Sequence, residues 1–219
     1  RLSNAMFNAI LDEPTHNIDL HCWQIARATT VLARSDVEMS IELAGASAVR
    51  FGRRRPGRKK ETEGPKFPCV LTAYYNDSGR SAICIELSGQ NVIVEREVLC
   101  GLRAVVNCFK LLELLPGEPE GTEEDQLWLD ENEEVTVEAP CSGLYVRNPD
   151  LDTSDPVGEG HLLGHILGFS DLKTMEVRSP ATGYLYSFAG NMEERKPKPK
   201  HTDHPYVDTG QPVAQIIRP

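Results

Sequence analysis

The chain has 219 residues, 40% of them hydrophobic, which is enough for a packed core; 33 acidic against 23 basic side chains leave a net charge of −10. That charge argues against general nucleic-acid or anionic-membrane binding, and no apolar run approaches the roughly 20 residues of a membrane span. Six cysteines without a Cys-x-x-Cys pair do not make a disulfide scaffold, so a cytoplasmic, reducing location is expected.

In chain order, the start Arg1-Leu2-Ser3-Asn4-Ala5-Met6 has no signal-peptide character. Leu2, Met6, Phe7 and Ile10 recur at helical spacing, so residues 2–11 read as a short helix that Asp12-Glu13-Pro14 ends. Ile18-Asp19-Leu20-His21 reads as a buried strand. Strand side chains alternate, so Asp19 and His21 share one face. A carboxylate two residues before a histidine can orient the imidazole and fix its tautomer, as a metal ligand requires. The same pair also reads as a hydrogen-bonded structural histidine. Cys22, its neighbour, points to the opposite face and is poorly placed for a Cys/His nucleophile.

Val31–Ala33 is a short strand and 37–51 is helix-like. Arg53-Arg54-Arg55-Pro56-Gly57-Arg58-Lys59-Lys60 lacks interleaved aromatics and reads as a solvated basic loop. Strands are expected at Val70–Tyr75 and Ser81–Leu87. In the second, Glu86 interrupts an apolar run, and a carboxylate there is costly unless a charged or hydrogen-bonding group meets it. Residues 96–115 form the best helix, with Val98, Leu102, Val105, Val106, Phe109 and Leu112 on one side, closed by Pro116-Gly117. An acidic linker spans 117–133, within which Leu127-Trp128-Leu129 offers local packing. Residues 1–116 thus form one α/β domain and 134–219 a small all-β domain rich in Gly, Pro and β-branched residues.

The β domain carries an internal repeat. Glu138-Ala139-Pro140-Cys141-Ser142-Gly143-Leu144-Tyr145 echoes Arg178-Ser179-Pro180-Ala181-Thr182-Gly183-Tyr184-Leu185. Val157-Gly158-Glu159-Gly160 echoes Val207-Asp208-Thr209-Gly210. Two copies of a strand-turn-strand unit imply a pseudo-twofold sandwich or flattened barrel. Asn191–Tyr206, polar and Pro-rich, is expected to be a mobile loop. This domain resembles the biotinyl/lipoyl hammerhead. Aligning Val177–Gly183 with the turn after the carrier hairpin puts Leu172, not Lys173, at the lysine position, and one residue of slip reverses a strand face. A non-catalytic biotinyl/lipoyl-like carrier module is the alternative reading.

Taken whole, the chain resembles the succinylglutamate desuccinylase/aspartoacylase family of the zinc carboxypeptidase clan. The likeness lies in Arg1–Phe7, similar to the family's helix before the Ile-Asp-Leu-His strand, in Ile18-Asp19-Leu20-His21-Cys22, in Ile83-Cys84-Ile85-Glu86-Leu87-Ser88-Gly89, and in Gly101–Asn107 through Leu115-Pro116-Gly117-Glu118-Pro119. It implies an α/β fold with part of a carboxypeptidase-like mixed sheet and flanking helices, followed by a barrel-sandwich, hammerhead-like β domain. It implies a zinc-dependent amidohydrolase acting on an N-acyl amino acid: His21 as a zinc ligand, Asp19 behind it, Glu86 as catalytic acid/base and Arg80 as a candidate for the substrate carboxylate. The family's His-x-x-Glu ligands and its Asn-x-Asn-Arg-type motif are not in this sequence. The chain is therefore expected to be the C-terminal portion of such an enzyme, incomplete or inactive as it stands, with an exposed sheet edge that favours a homo-oligomer.

Overall fold

The computed structural model describes residues 14–23, 26–57, 71–88, 94–121, 126–129, 133–169, 172–188 and 206–218. The helix expected at 2–11 and nearly all of the Pro-rich 191–206 stretch lie outside them. The described residues fall into two compact units, one running from the start to Trp128, the other mainly from Leu129 to the end, with Cys22–Ala28 and Ser88–Val94 belonging to the second.

The first unit is a five-stranded sheet. Its strands are β1 (His16–Cys22), β2 (Thr30–Arg34), β3 (Phe51–Arg55), β4 (Ser81–Leu87) and β5 (Leu127–Trp128), in the order β1-β4-β2-β3-β5. β2 pairs in parallel with β3 and antiparallel with β4, and β3 pairs in parallel with β5. His16 at the head of β1 bonds Ser81 at the head of β4, and Asp19 and His21 reach Cys84 further along, so these two strands run the same way. Ala82, Ile83, Cys84 and Ile85 are all buried. A strand covered on both faces needs such a continuous apolar run rather than alternation.

Three helices accompany the sheet: α1 (Glu38–Ala46), α2 (Leu71–Asp77) and α3 (Glu95–Leu111). Leu43 and Ala44 of α1 and Ala104 and Cys108 of α3 join Val31, Ala33, Ile83 and Ile85 in one core. Five expectations meet a different outcome here. Val70–Tyr75 is expected as a strand. Its described residues are instead the first turns of α2, tied down by Asn76, whose Oδ1 accepts from Ser40 Oγ (2.8 Å) and the Ala82 N–H (3.1 Å). The helix-like 37–51 stretch ends its helix at Ala46. Arg53–Arg55, expected in a loop, are strand β3, and Leu127–Trp128 in the acidic linker is strand β5 beside it.

The fifth concerns α3. Its acidic first turn (Glu95, Glu97) and its Lys110 in the last turn suit the helix dipole. Its buried face, however, is Gly101, Ala104, Asn107 and Cys108, while Val98 (53% exposed), Leu102 (58%) and Phe109 (38%) face outward. Small residues let the helix lie close to the strand: a Cβ on Gly101 would already touch Leu87.

Every named element of the second unit is a strand: β6 (Glu134–Glu138), β7 (Gly143–Arg147), β8 (Pro156–Val157), β9 (Leu162–Gly168), β10 (Thr174–Arg178), β11 (Gly183–Phe188), β12 (Tyr206–Val207) and β13 (Pro212–Ile217). They make two antiparallel sheets, β10-β9-β7-β12 and β6-β13-β11-β8. Exchanging each strand for its counterpart in the other copy (β6 with β10, β7 with β11, β8 with β12, β9 with β13) converts the second order into the first, so the sequence repeat is a structural one. Its turns match bond for bond. Gly160 N–H donates to Ser179 O and Gly210 N–H to the equivalent Ala139 O, at 2.7 and 2.9 Å. Gly143 and Gly183, also equivalent, leave no room for a side chain, since a Cβ would fall 2.3 Å from Leu167 O and 2.1 Å from Ile217 O. Leu163, Ile166, Leu185, Val213 and Ile216 fill the core.

Candidate active site in the first unit

Period-two alternation sorts β1 and β4 into two faces. Ile18, Ile83, Ile85 and Leu87 turn to the core. Asp19 and His21 on β1, and Cys84 and Glu86 on β4, turn the other way. Register adds β2 to this face, because Thr30 lies opposite Glu86 and Leu32 opposite Cys84. β3 extends it, with Arg55 beside Arg34. A cleft of about 570 Å³ opens there, lined by His21, Leu32, Arg34, Arg55, Cys84 and Glu86 from the strands and by Thr72, Ala73 and Asn76 from α2.

His21 is half exposed, and its Nε2 lies 3.1 Å from Oδ1 of Asp19, which is largely covered. The carboxylate holds the ring by its Nε2–H, which fixes the tautomer. Cys84 Sγ lies 3.9 Å from Glu86 Oε1, a weak S–H contact. Burial first, then the negative charges of Glu86 and Asp19, push the Cys84 thiol up to about 12, while Arg55 pulls it down. The free thiol is therefore protonated at neutral pH and is no nucleophile.

Two arginines bring positive charge, under different constraints. Arg34 is saturated: Nε and Nη2 bond Asp36 at 2.6 and 2.7 Å, and Nη1 bonds Asp77 at 2.6 Å. Those bonds hold the guanidinium above its ordinary pKa, and the same contact holds Asp36 below the usual carboxylate range. Arg55 is exposed on the cleft wall. Arg80 lies elsewhere. It stacks on Tyr75 at 4.3 Å and donates to Ser78 Oγ and Pro14 O, and it does not line the cleft.

The structure thus brings His21, Asp19 and Glu86 to one face and leaves Arg80 outside. Arg34, Arg55, Cys84 and Asn76 were not picked out from sequence. Cys84 had a signal, since it stands two residues before Glu86 and must share its face. The arginines had none, because their place follows from pairing with β2. In the second unit, His161 directly precedes β9 and His165 lies within it, and Lys173 is exposed in the connection to β10, its carbonyl accepting from Gly168 N–H.

The donor chemistry suits a divalent ion. An imidazole, a carboxylate and a thiol, from His21, Asp19 and Cys84, have ligand atoms within 4.8 Å of one another. Catalytic zinc sites use three such protein ligands and one open position.

The first unit is by class a mixed α/β sheet with helices and a polar cleft that can gather donors for a cation. Solved structures narrow this to a fold. The chain superimposes on a succinylglutamate desuccinylase/aspartoacylase from Rhodobacter sphaeroides with TM-score 0.63 at 18% identity, covering 99% of this chain and 62% of that one. The apo ectoine utilization protein EutE (DoeB) from Ruegeria pomeroyi gives 0.65 at 16%, covering 100% and 64%. An aspartoacylase family protein from Mesorhizobium loti MAFF303099 gives 0.61 at 17%, covering 100% and 61%. At such identities the likeness is one of fold: this chain has the fold of the succinylglutamate desuccinylase/aspartoacylase structures and spans about three fifths of their length. No family model and no curated protein matches its sequence. Among the described residues, no helix is long and apolar enough to cross a membrane.

Proposed function

We propose that this chain supplies the acid/base group and part of the metal-holding wall of a zinc-dependent amide hydrolase acting on an N-acyl amino acid. The observation that carries the reading is the meeting of Glu86 with the Asp19–His21 pair on one face of the cleft. The shared fold supports it.

His21 and Asp19 would hold the ion as imidazole and carboxylate ligands. When bound, a zinc ion acidifies water and polarises an amide carbonyl. Glu86 takes a proton at a carboxylate oxygen as the water oxygen attacks the amide carbon. The carbon–nitrogen bond then breaks, and Glu86 passes that proton to the departing nitrogen, leaving a carboxylic acid and an amine. Arg55 is the group offered to the substrate's carboxylate, because Arg34 is committed to two aspartates and Arg80 lies outside the cleft. A planar guanidinium suits that task by bidentate pairing.

The test is hydrolysis of N-acyl amino acids by the full gene product. Glu86→Gln is expected to lower kcat by 10²–10⁴-fold, the usual worth of general acid–base catalysis, with zinc content unchanged. Arg55→Ala is expected to raise KM chiefly. A Glu86→Gln protein as fast as the parent would refute the reading. The carrier alternative has exposed Lys173 in its favour, and an intact mass without a biotinyl or lipoyl adduct on cell-derived protein would remove it.

A further inference from the structure

We propose that this chain itself binds a thiophilic divalent cation through Asp19, His21 and Cys84, with the Cys84 sulfur as a ligand. The inference rests on the metal-dependent reading and deepens it by adding a sulfur donor from β4.

Three observations carry it. First, one ligand atom from each of the three residues lies within 4.8 Å of the other two, with the imidazole and carboxylate at 3.1 Å. Two donors on a tetrahedral zinc with bonds of about 2.0–2.3 Å stand about 3.3–3.7 Å apart. Side-chain rotations of the order of 1 Å therefore suffice, and the two strands need not move. Second, the site has a door, because His21 and Cys84 both line the cleft. Third, Cys84 stands alone among the described cysteines in this position. Cys108 is buried with its thiol directed at Leu43 O, and Cys22 lies on the opposite face of β1 from His21.

The ligand types set the selectivity. Thiolate with imidazole favours zinc and its thiophilic neighbours, whereas magnesium and calcium prefer all-oxygen sites. On binding, the Cys84 S–H bond breaks and its proton leaves to solvent, the His21 ring gives up its Nε2 proton and takes one from solvent at Nδ1, and the sulfur and Nε2 each donate an electron pair to the ion. No electron is transferred. Glu86, with an oxygen 3.9 Å from the sulfur, adds negative charge that favours a cation nearby and remains available for proton transfer.

The experiment titrates the reduced, metal-free chain with cobalt(II) and follows its absorption. One equivalent is expected to bind with a sulfur-to-cobalt charge-transfer band in the near ultraviolet. Cys84→Ser should abolish the band, and Cys84→Ser and His21→Ala should each weaken binding by at least tenfold. Cys22→Ser should change neither. Zinc-loaded parent protein should show one sulfur at about 2.3 Å by zinc-edge X-ray absorption, a measurement that needs no variant to fold. Cobalt bound without the band, or zinc without the sulfur, overturns the sulfur ligand while leaving the hydrolase reading intact. No bound metal overturns the site in this chain. The hydrolase reading fails separately, on chelator-insensitive turnover by the full gene product.

Discussion

Cys84 shows how one position acquires a property its residue type lacks. The thiol sits between an apolar strand interior and two carboxylates, so both burial and charge oppose the thiolate and raise its pKa to about 12. Only the anion reacts with alkylating agents. In metal-free protein near pH 8, iodoacetamide is expected to label exposed Cys22 and spare Cys84 and Cys108, as peptide mapping would show. Glu86→Gln removes one opposing charge. It should lower the pH at which Cys84 becomes reactive, but only partway to the ordinary thiol value, because burial is the larger cause. Prompt labelling of Cys84 in the parent would contradict the geometry. At this scale much of the site was legible: alternation alone puts Asp19 with His21 and Cys84 with Glu86. What alternation cannot supply is which strand lies beside which, and so Arg34 and Arg55 stayed hidden.

The helix α3 shows where element-level reading fails. Its large apolar side chains form the more obvious stripe, yet Gly101, Ala104 and Cys108 face the sheet. Hydrophobic spacing finds the helix but weighs a leucine above an alanine, whereas close approach selects for the small residue. The two faces should respond oppositely. Ala104→Leu places extra methyl groups where exposure is 0% and is expected to cost about 1–3 kcal/mol. Leu102→Lys, on the exposed side, should change stability by less than about 0.5 kcal/mol. Urea unfolding of both variants checks this, and the reverse ranking would mean that α3 packs on its other face. α2 was misread for a related reason. Its residues favour a strand locally, and the helix is held by Asn76 bonds to Ser40 and Ala82, contacts from neighbouring elements that no local pattern contains.

Across the whole molecule, the β unit was the most legible part, because a repeat compares the sequence with itself. Glycines at matching places, such as Gly143 with Gly183, mark the same close strand approach twice. β5 was least legible, since its pairing of Leu127 with Phe51 spans most of the first unit's sequence. Both units share one physical liability: each buries groups that alkaline pH ionises. Cys84 and Cys108 in the first have thiols pushed up to about 12 from 9.0, chiefly by burial. In the second, burial raises the Tyr145 phenol above its ordinary value while its hydroxyl donates to Leu163 O. Below pH 9 the folded and unfolded chains hold these protons alike. Between about 9 and 12 the unfolded thiols release theirs and the folded ones do not, so the native state binds more protons and stability falls as pH rises. Each thiol contributes a slope of up to about 1.4 kcal/mol per pH unit. Urea midpoints should therefore drop steadily above about pH 9, and Cys84→Ala with Cys108→Ala should flatten the decline of the first unit. A midpoint that stays level to about pH 11 would show that these thiols reach solvent.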